Sequence, residues 1–279
     1  MTKLFAGPEA ISSILAVTQN TDSKLIQKTL IYFQEKFVRY EPWMSTPTGM
    51  LPSDFTVSHW DLKERYPTER TNKLYQKFVR SLNQVDGQIP STEKYNLYIS
   101  EPSRSELDQF RNRIQETEIE LIRIQPFFGP LIQSLIHSYV PMENPSDQHE
   151  FDYGMSVLWL KGCIFYEKRL FATLERRVEN LAHEIAHQIL IHYQLNDFLI
   201  VGDLNTQVYS GIRSTERPAI MAFHGAAALC YMLLVAKTYG EEGRIQELGT
   251  ALRGTLESLK KIQFTEVGRQ LFEEMNEFA

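Results

Sequence analysis

Cysteine is close to absent: the chain of 279 residues has two, Cys163 and Cys230, too few for a disulfide framework. One falls in a strand-like run and one in a helix-like run, and both read as small buried hydrophobes of a protein from a reducing cytoplasm. Positive charge is also short, with 29 Lys and Arg against 35 Asp and Glu, a net charge of −6 and a pI near 5.7. Such a chain lacks the basic field that attracts nucleic acid or an anionic membrane, so neither is an expected partner. No apolar run is read as reaching membrane-spanning length, and the start Met1-Thr2-Lys3-Leu4-Phe5-Ala6-Gly7-Pro8 lacks the apolar stretch of a signal peptide. Internal repeats and low-complexity tracts are missing as well. What the chain does have is apolar bulk, 43% hydrophobic and 11% aromatic, enough to fill a large core.

Histidine is scarce too, seven in all, yet two of them stand four residues apart in Leu181-Ala182-His183-Glu184-Ile185-Ala186-His187-Gln188-Ile189-Leu190. Side chains four apart on a helix lie one above the other, so His183 and His187 can both reach one ion at about 2 Å, with Glu184 beside them. The rest of the segment is apolar nearly all round, the pattern of a buried helix. A His-Glu-x-x-His pattern on such a helix points to a metal site but leaves open the metal and the chemistry.

Elsewhere the periodicity predicts mostly helices: residues 9–17, 25–37, 71–83, 107–124, 131–137, a long one over 170–194 that carries the motif, 219–239, 245–262 and 266–278. Asp22 or Ser23, Ser103 and Thr265 are N-cap candidates, and Ser103 with Glu106 has capping-box spacing. The charges between the apolar positions of 107–124, Glu116, Glu118 and Glu120, read as a solvated face. Residues 39–67 and 141–152 read as loops, the former with His59, and 201–213 as a loop holding Asp203. A plausible strand covers 95–99, and residues 156–166 read as a tight antiparallel hairpin turning at Lys161-Gly162 and leading into the metal helix. An exposed strand there could hold an extended peptide, or simply cover the core. The expected fold is therefore α+β and mainly helical, with that hairpin before a buried metal-binding helix and further helices packed around it. Residues 1–100 read as an N-terminal helical and loop region packed on the core, and 101–279 as the metal-binding catalytic core, one compact unit in all.

A catalytic metal needs a third protein ligand. His224, in Phe223-His224-Gly225-Ala226-Ala227-Ala228, is the best downstream candidate, on a helix whose small residues admit close packing. His192 falls on the face opposite His183 and cannot join the same ion, and His137 reads as a packed core histidine. Arg217 precedes His224 by two helical turns on the same face, a useful distance for the far carboxylate of a small diacid. Arg213 is the competing clamp, and a surface pairing such as Arg217 with Glu216 is the ordinary alternative.

The combination of the HExxH stretch, Tyr209-Ser210-Gly211-Ile212-Arg213-Ser214-Thr215-Glu216-Arg217-Pro218 and Phe223-His224-Gly225 resembles the bacterial HExxH-motif peptide-modification family, iron(II) and 2-oxoglutarate-dependent peptide β-hydroxylases. The tail Phe264-Thr265-Glu266-Val267-Gly268-Arg269-Gln270-Leu271-Phe272 is similar to that family's closing helix, while Ile212 stands where the family commonly has tryptophan. The resemblance spans roughly residues 150–279. It implies iron held by His183, His187 and His224, 2-oxoglutarate held by its keto-acid end on the iron and by Arg217 or Arg213 at the other carboxylate, and Glu184 orienting a ligand or water. The implied partner is a ribosomally made peptide, with or without a leader segment, oxidised at an unactivated carbon. Two other readings stand beside it. One is a zinc metallopeptidase with Glu184 as general base and His224, Glu216 or Asp203 as third ligand. The other is a non-catalytic peptide-binding protein with a residual metal site.

Overall fold

The computed structural model describes Phe5, residues 8–20, Arg65 and residues 103–142, 154–156, 162–167, 173–194 and 196–279. The predicted helices over 25–37 and 71–83, the strand over 95–99, most of the loop over 39–67 with His59, and the turn residue Lys161 lie outside these residues. Among them the protein is mainly helical with three small sheets. The helices are α1 (Pro8–Asn20), α2 (Arg104–Ile124), α3 (Phe128–Leu135), α4 (Leu174–Gln194), α5 (Ala219–Tyr239), α6 (Glu242–Leu259) and α7 (Glu266–Asn276). The strands are β1 (Ser138–Met142), β2 (Gly154–Ser156), β3 (Cys163–Glu167), β4 (Ile200–Val201), β5 (Gln207–Ser210), β6 (Thr215–Pro218) and β7 (Gln263–Phe264).

Local chemistry sets several boundaries. Ser103 caps α2 in a complete capping box, its hydroxyl accepting from Glu106 N while the Glu106 carboxylate accepts from Ser103 N. Pro218 precedes α5, Gly240 ends it in the left-handed conformation at φ 71°, and the Thr265 hydroxyl accepts from Gly268 N at the start of α7. Gly268 is required for a second reason. A Cβ there would stand 1.9 Å from the Leu199 carbonyl oxygen, so α7 and the segment after α4 meet backbone to backbone.

The core is organised on α4 and α5, which pack on each other more extensively than any other described pair. Helix α5 carries no polar face: from Ala219 to Ala236 nearly every side chain is buried. By length and composition it could cross a membrane, which corrects the expectation that no segment could, but 89% of its most apolar window is buried inside the protein. It is a core helix. Helices α2, α3 and α6 close around this pair, and Phe5 is docked against it, its N–H donating to Glu274 Oε2 and its carbonyl accepting from Tyr231 Oη.

Several expectations need correction. The expected tight hairpin over 156–166 is not shown; β2 ends at Ser156, and the described strands form a three-stranded mixed sheet in the order β1-β3-β2, with β3 antiparallel to β2 and parallel to β1. Residues 157–161, between β2 and β3, lie outside the described set. The turn-rich reading from Pro141 onward cut short a real strand, β1, whose Pro141 is tolerated because β1 is a sheet edge among the described residues. The loop over 201–213 holds β5, which forms an antiparallel ribbon with β6; Arg217 belongs to β6, so it does not share a helical face with His224 two turns away as expected. Glu118 is not solvated: it is 6% exposed, accepts from Tyr139 Oη at 2.7 Å and lies 3.4 Å from Arg65 Nε.

Candidate metal centre

Helix α4 mixes buried apolar residues with polar ones, and those facing the sheet and α5 build the candidate site. Gln188 sits on the sheet side. Its Oε1 accepts from Gly162 N at 2.7 Å and its Nε2 donates to the Cys163 carbonyl at 3.0 Å, so one carboxamide ties the helix to the start of β3 and the residue before it. Glu184, 1% exposed, accepts from the Ser156 hydroxyl of β2 at 2.7 Å through Oε2, while Oε1 lies 3.8 Å from His183 Nε2. Gly154 lets β2 come this close. A Cβ on it would meet Asn180 Oδ1 at 2.6 Å, Tyr166 Cε1 at 2.8 Å and Glu184 Oε1 at 3.0 Å. The Tyr166 hydroxyl and Asn180 Oδ1 are both buried there without a hydrogen-bond partner. Burial, and then the Glu184 and Glu118 carboxylates, push the Tyr166 phenol well above its ordinary range, so it stays protonated.

Where α4 meets α5 the three histidines form a row. His183 Nε2 lies 3.0 Å from His187 Nε2, His187 Nδ1 lies 3.1 Å from His224 Nδ1, and His224 Nε2–H donates to Gln194 Oε1 at 2.8 Å. Gln194 sets the direction of the row. If its oxygen takes the proton of His224 Nε2, His224 Nδ1 carries a lone pair and accepts from His187 Nδ1–H, and His187 Nε2 then accepts from His183 Nε2–H. Each ring holds one proton, and none need be charged. Burial acts in the same direction. It pushes His183 down to about 4, helped by the Arg213 charge, and holds His187 well below its ordinary value together with His183, Arg217 and Arg213. His224 is lowered by burial and by His187. The row opens to solvent at one end, since the His183 side chain keeps 20% exposure whereas His224 keeps 7%.

Neutral imidazole is the form that binds a metal, and the spacing of the first pair suits one. Two donors at about 2.1 Å from an ion, at right angles, stand about 3.0 Å apart. His224 is a neighbour of the pair, but it meets His187 through a different nitrogen. Among the described residues no three His, Cys, Asp or Glu side chains converge on a single point as they stand. The chemistry of the ring offers a short route to convergence. A half turn about χ2 exchanges Nε2 of His187 with Cε1, the ring atom lying between its two contacts, and so aims that nitrogen between His183 and His224. Three neutral imidazoles are donors that a divalent metal accepts, so the chemistry of the set suits an ion although the rings as placed do not converge on one point.

The other candidates separate cleanly. Arg217 is half-buried on β6 and Arg213 is exposed in the turn after β5; both charges reach the histidine row. Asp203 is exposed and accepts from Asn205 N within its own turn, and Glu216 is exposed on β6. His192 is buried apart from the row, its Nδ1 2.6 Å from the Gln188 carbonyl oxygen. His137 is half-buried against Gly162, where a Cβ would meet its ring at 2.2 Å. Gln194 and Gln188 were missed from the sequence. Gln194 follows His187 by seven residues and so shares its helical face, which was a readable signal. No protein-family model matches the chain and no curated protein matches it significantly.

Proposed function

We propose that the protein is an iron(II)- and 2-oxoglutarate-dependent oxygenase that hydroxylates an unactivated β-carbon of a residue in a ribosomally made peptide. The observation that carries this reading is the meeting of His183, His187 and His224 from two helices, with the Arg213 charge acting on His183 and His187 and the Arg217 charge on His187. His183, His187 and His224 would hold the iron, and Arg217 or Arg213 the far carboxylate of the cosubstrate. When bound, iron and 2-oxoglutarate together supply an oxidant able to take hydrogen from an unreactive carbon, with succinate and carbon dioxide as co-products.

What the chain's own residues do follows from their surroundings. Gln194 holds the His224 proton on Nε2 and so keeps Nδ1 free as a donor. The Ser156 hydroxyl turns Glu184 toward the sheet, where it can orient a ring or a water. Three neutral ligands add no negative charge of their own, and the Arg213 and Arg217 charges nearby favour an anionic cosubstrate. The exposed flank of His183 is the side from which a peptide could reach the site, and β2, a sheet edge among the described residues, is near enough to align it. Two buried free thiols accord with a cytoplasmic setting.

The zinc metallopeptidase is the rival reading: Glu184 Oε1, 3.8 Å from His183 Nε2, would serve it as general base, and what weighs against it is the arginine charge beside the histidines, for which peptide hydrolysis has no use. Aerobic incubation with iron(II), 2-oxoglutarate and the peptide encoded beside the gene tests the proposal. Succinate should form in proportion to a peptide product 16 mass units heavier, a gain of one oxygen atom; hydrolysed peptide with no succinate would overturn it.

A further inference from the structure

The mixed sheet carries two buried tyrosines on the face that meets α4. In the register of β3, Tyr139 and Ser156 both stand opposite Ile164, and Gly154 stands opposite Tyr166. Side chains alternate along a strand, so Tyr139, Tyr166 and Ser156 project to one side, where Ser156 meets Glu184 of α4. The two tyrosine rings stack there, 6.1 Å between centres and 28° between planes.

Their hydroxyls differ. Tyr139 Oη donates to Glu118 Oε1 at 2.7 Å, and that buried carboxylate is ion-paired with Arg65, whose Nε lies 3.4 Å away. The Tyr166 hydroxyl has no hydrogen-bond partner among the described residues. Phenylalanine would fill either place without burying a polar group. On the α4 side Tyr166 Cε1 and Glu184 Oε1 both border the point where a Cβ on Gly154 would stand, and Glu184 Oε1 lies 3.8 Å from His183 Nε2. The stacked pair therefore leads from the histidine row to an ion-paired buried base.

An oxidised phenol is a much stronger acid than the phenol itself, so a buried tyrosine gives up an electron readily only where a base takes the proton in the same step. Tyr139 has such a base and Tyr166 has none. Burial and the Glu118 charge push the Tyr139 phenol well above its ordinary range, so the proton stays on it until the ring is oxidised.

We propose that Tyr139 is a redox-active tyrosine: a one-electron oxidant on the histidine side of the sheet takes its electron through the ring of Tyr166 while its phenol proton passes to Glu118. The O–H bond of Tyr139 breaks, Glu118 becomes a carboxylic acid, the oxidant is reduced by one electron, and a neutral tyrosyl radical stays in the core. The natural oxidant rests on the oxygenase reading. Oxygen activated at the histidines with no peptide in place would leave a one-electron oxidant there, and the tyrosine pair draws its oxidising power away from the imidazoles.

Electron paramagnetic resonance of the full chain tests this in two arms. In the first, photogenerated tris(bipyridine)ruthenium(III) oxidises the metal-free protein, and the signal is read after exposed tyrosyl radicals have coupled. A persistent tyrosyl signal should form, more slowly in deuterated solvent, and Tyr139→Phe should abolish it. Tyr166→Phe should lower the yield without changing the spectrum. Glu118→Gln still accepts the hydroxyl but is no base, and should lose most of the signal; if that variant does not fold, the solvent isotope effect decides. An unaltered signal in Tyr139→Phe, a full yield in Glu118→Gln or formation at the same rate in both solvents overturns the proposal. In the second arm, iron(II), 2-oxoglutarate and oxygen without peptide should give the same spectrum. A Tyr139 radical formed by light but not in this arm leaves the redox tyrosine standing and counts against the oxygenase reading.

Discussion

An imidazole taken out of water gives up its proton before it gives up its hydrogen bonds, and the row His183, His187, His224 shows that order of preference. Each ring is held neutral, each is bonded, and Gln194 fixes which nitrogen of the last one stays bare. Three of these four positions were readable in the sequence, His183 and His187 from a spacing of four on one helix and His224 from the need for a third ligand. Gln194 shares a helical face with His187 but carries no chemical signature of its own, since its role exists only once His224 arrives from another helix. Glu118 was misread for the converse reason. It sits among exposed glutamates in sequence, and only the approach of Tyr139 and Arg65 explains a carboxylate at 6% exposure. At this scale Glu184 separates the rival chemistries. Glu184→Gln can still accept from Ser156, so metal content should hold and succinate formation should fall only about tenfold. A peptidase deprived of its general base would lose about 10²–10⁴ in rate, and a loss of that size, measured at equal metal loading, would count against the oxygenase.

Helix α4 acts as a divider whose polar sector serves two neighbours, the sheet through Gln188 and Glu184 and helix α5 through the histidines. The contact of Glu184 with Ser156 therefore depends on how the helix is docked on the sheet. Gln188 supplies that docking with two hydrogen bonds to consecutive residues. Gln188→Leu keeps the volume but leaves Gly162 N–H and the Cys163 carbonyl without these partners. It should lower stability by about 1–3 kcal/mol in chemical denaturation. If stability is unchanged, the carboxamide does not hold helix and sheet together. Long helices were legible at this scale because their apolar period extends over many turns. The short strands were not. β5 alternates correctly over Gln207 to Ser210, but four residues of mixed polarity give little signal, and β1 was hidden by Pro141.

At the scale of the molecule, an all-apolar helix occupies the middle, and the candidate site lies where it meets α4. This explains why α5 passes a membrane-span criterion yet belongs to the core. Burial on every side asks for the same composition that a bilayer does. It also explains why the third histidine could be nominated from sequence but not aimed. The spacing of residues 183 and 187 is a property of one helix, whereas the distance from 187 to 224 is a property of how two helices cross. Phe5, tucked against Tyr231 and Glu274, shows that a residue far from the site in sequence is built into the same core.

Anaerobic titration of the metal-free protein with iron(II) tests the three-histidine site most directly. One ion should bind per chain, and His183→Ala, His187→Ala and His224→Ala should each weaken it by at least about tenfold, because each removes a donor. Tight binding that survives His224→Ala unchanged would contradict the account.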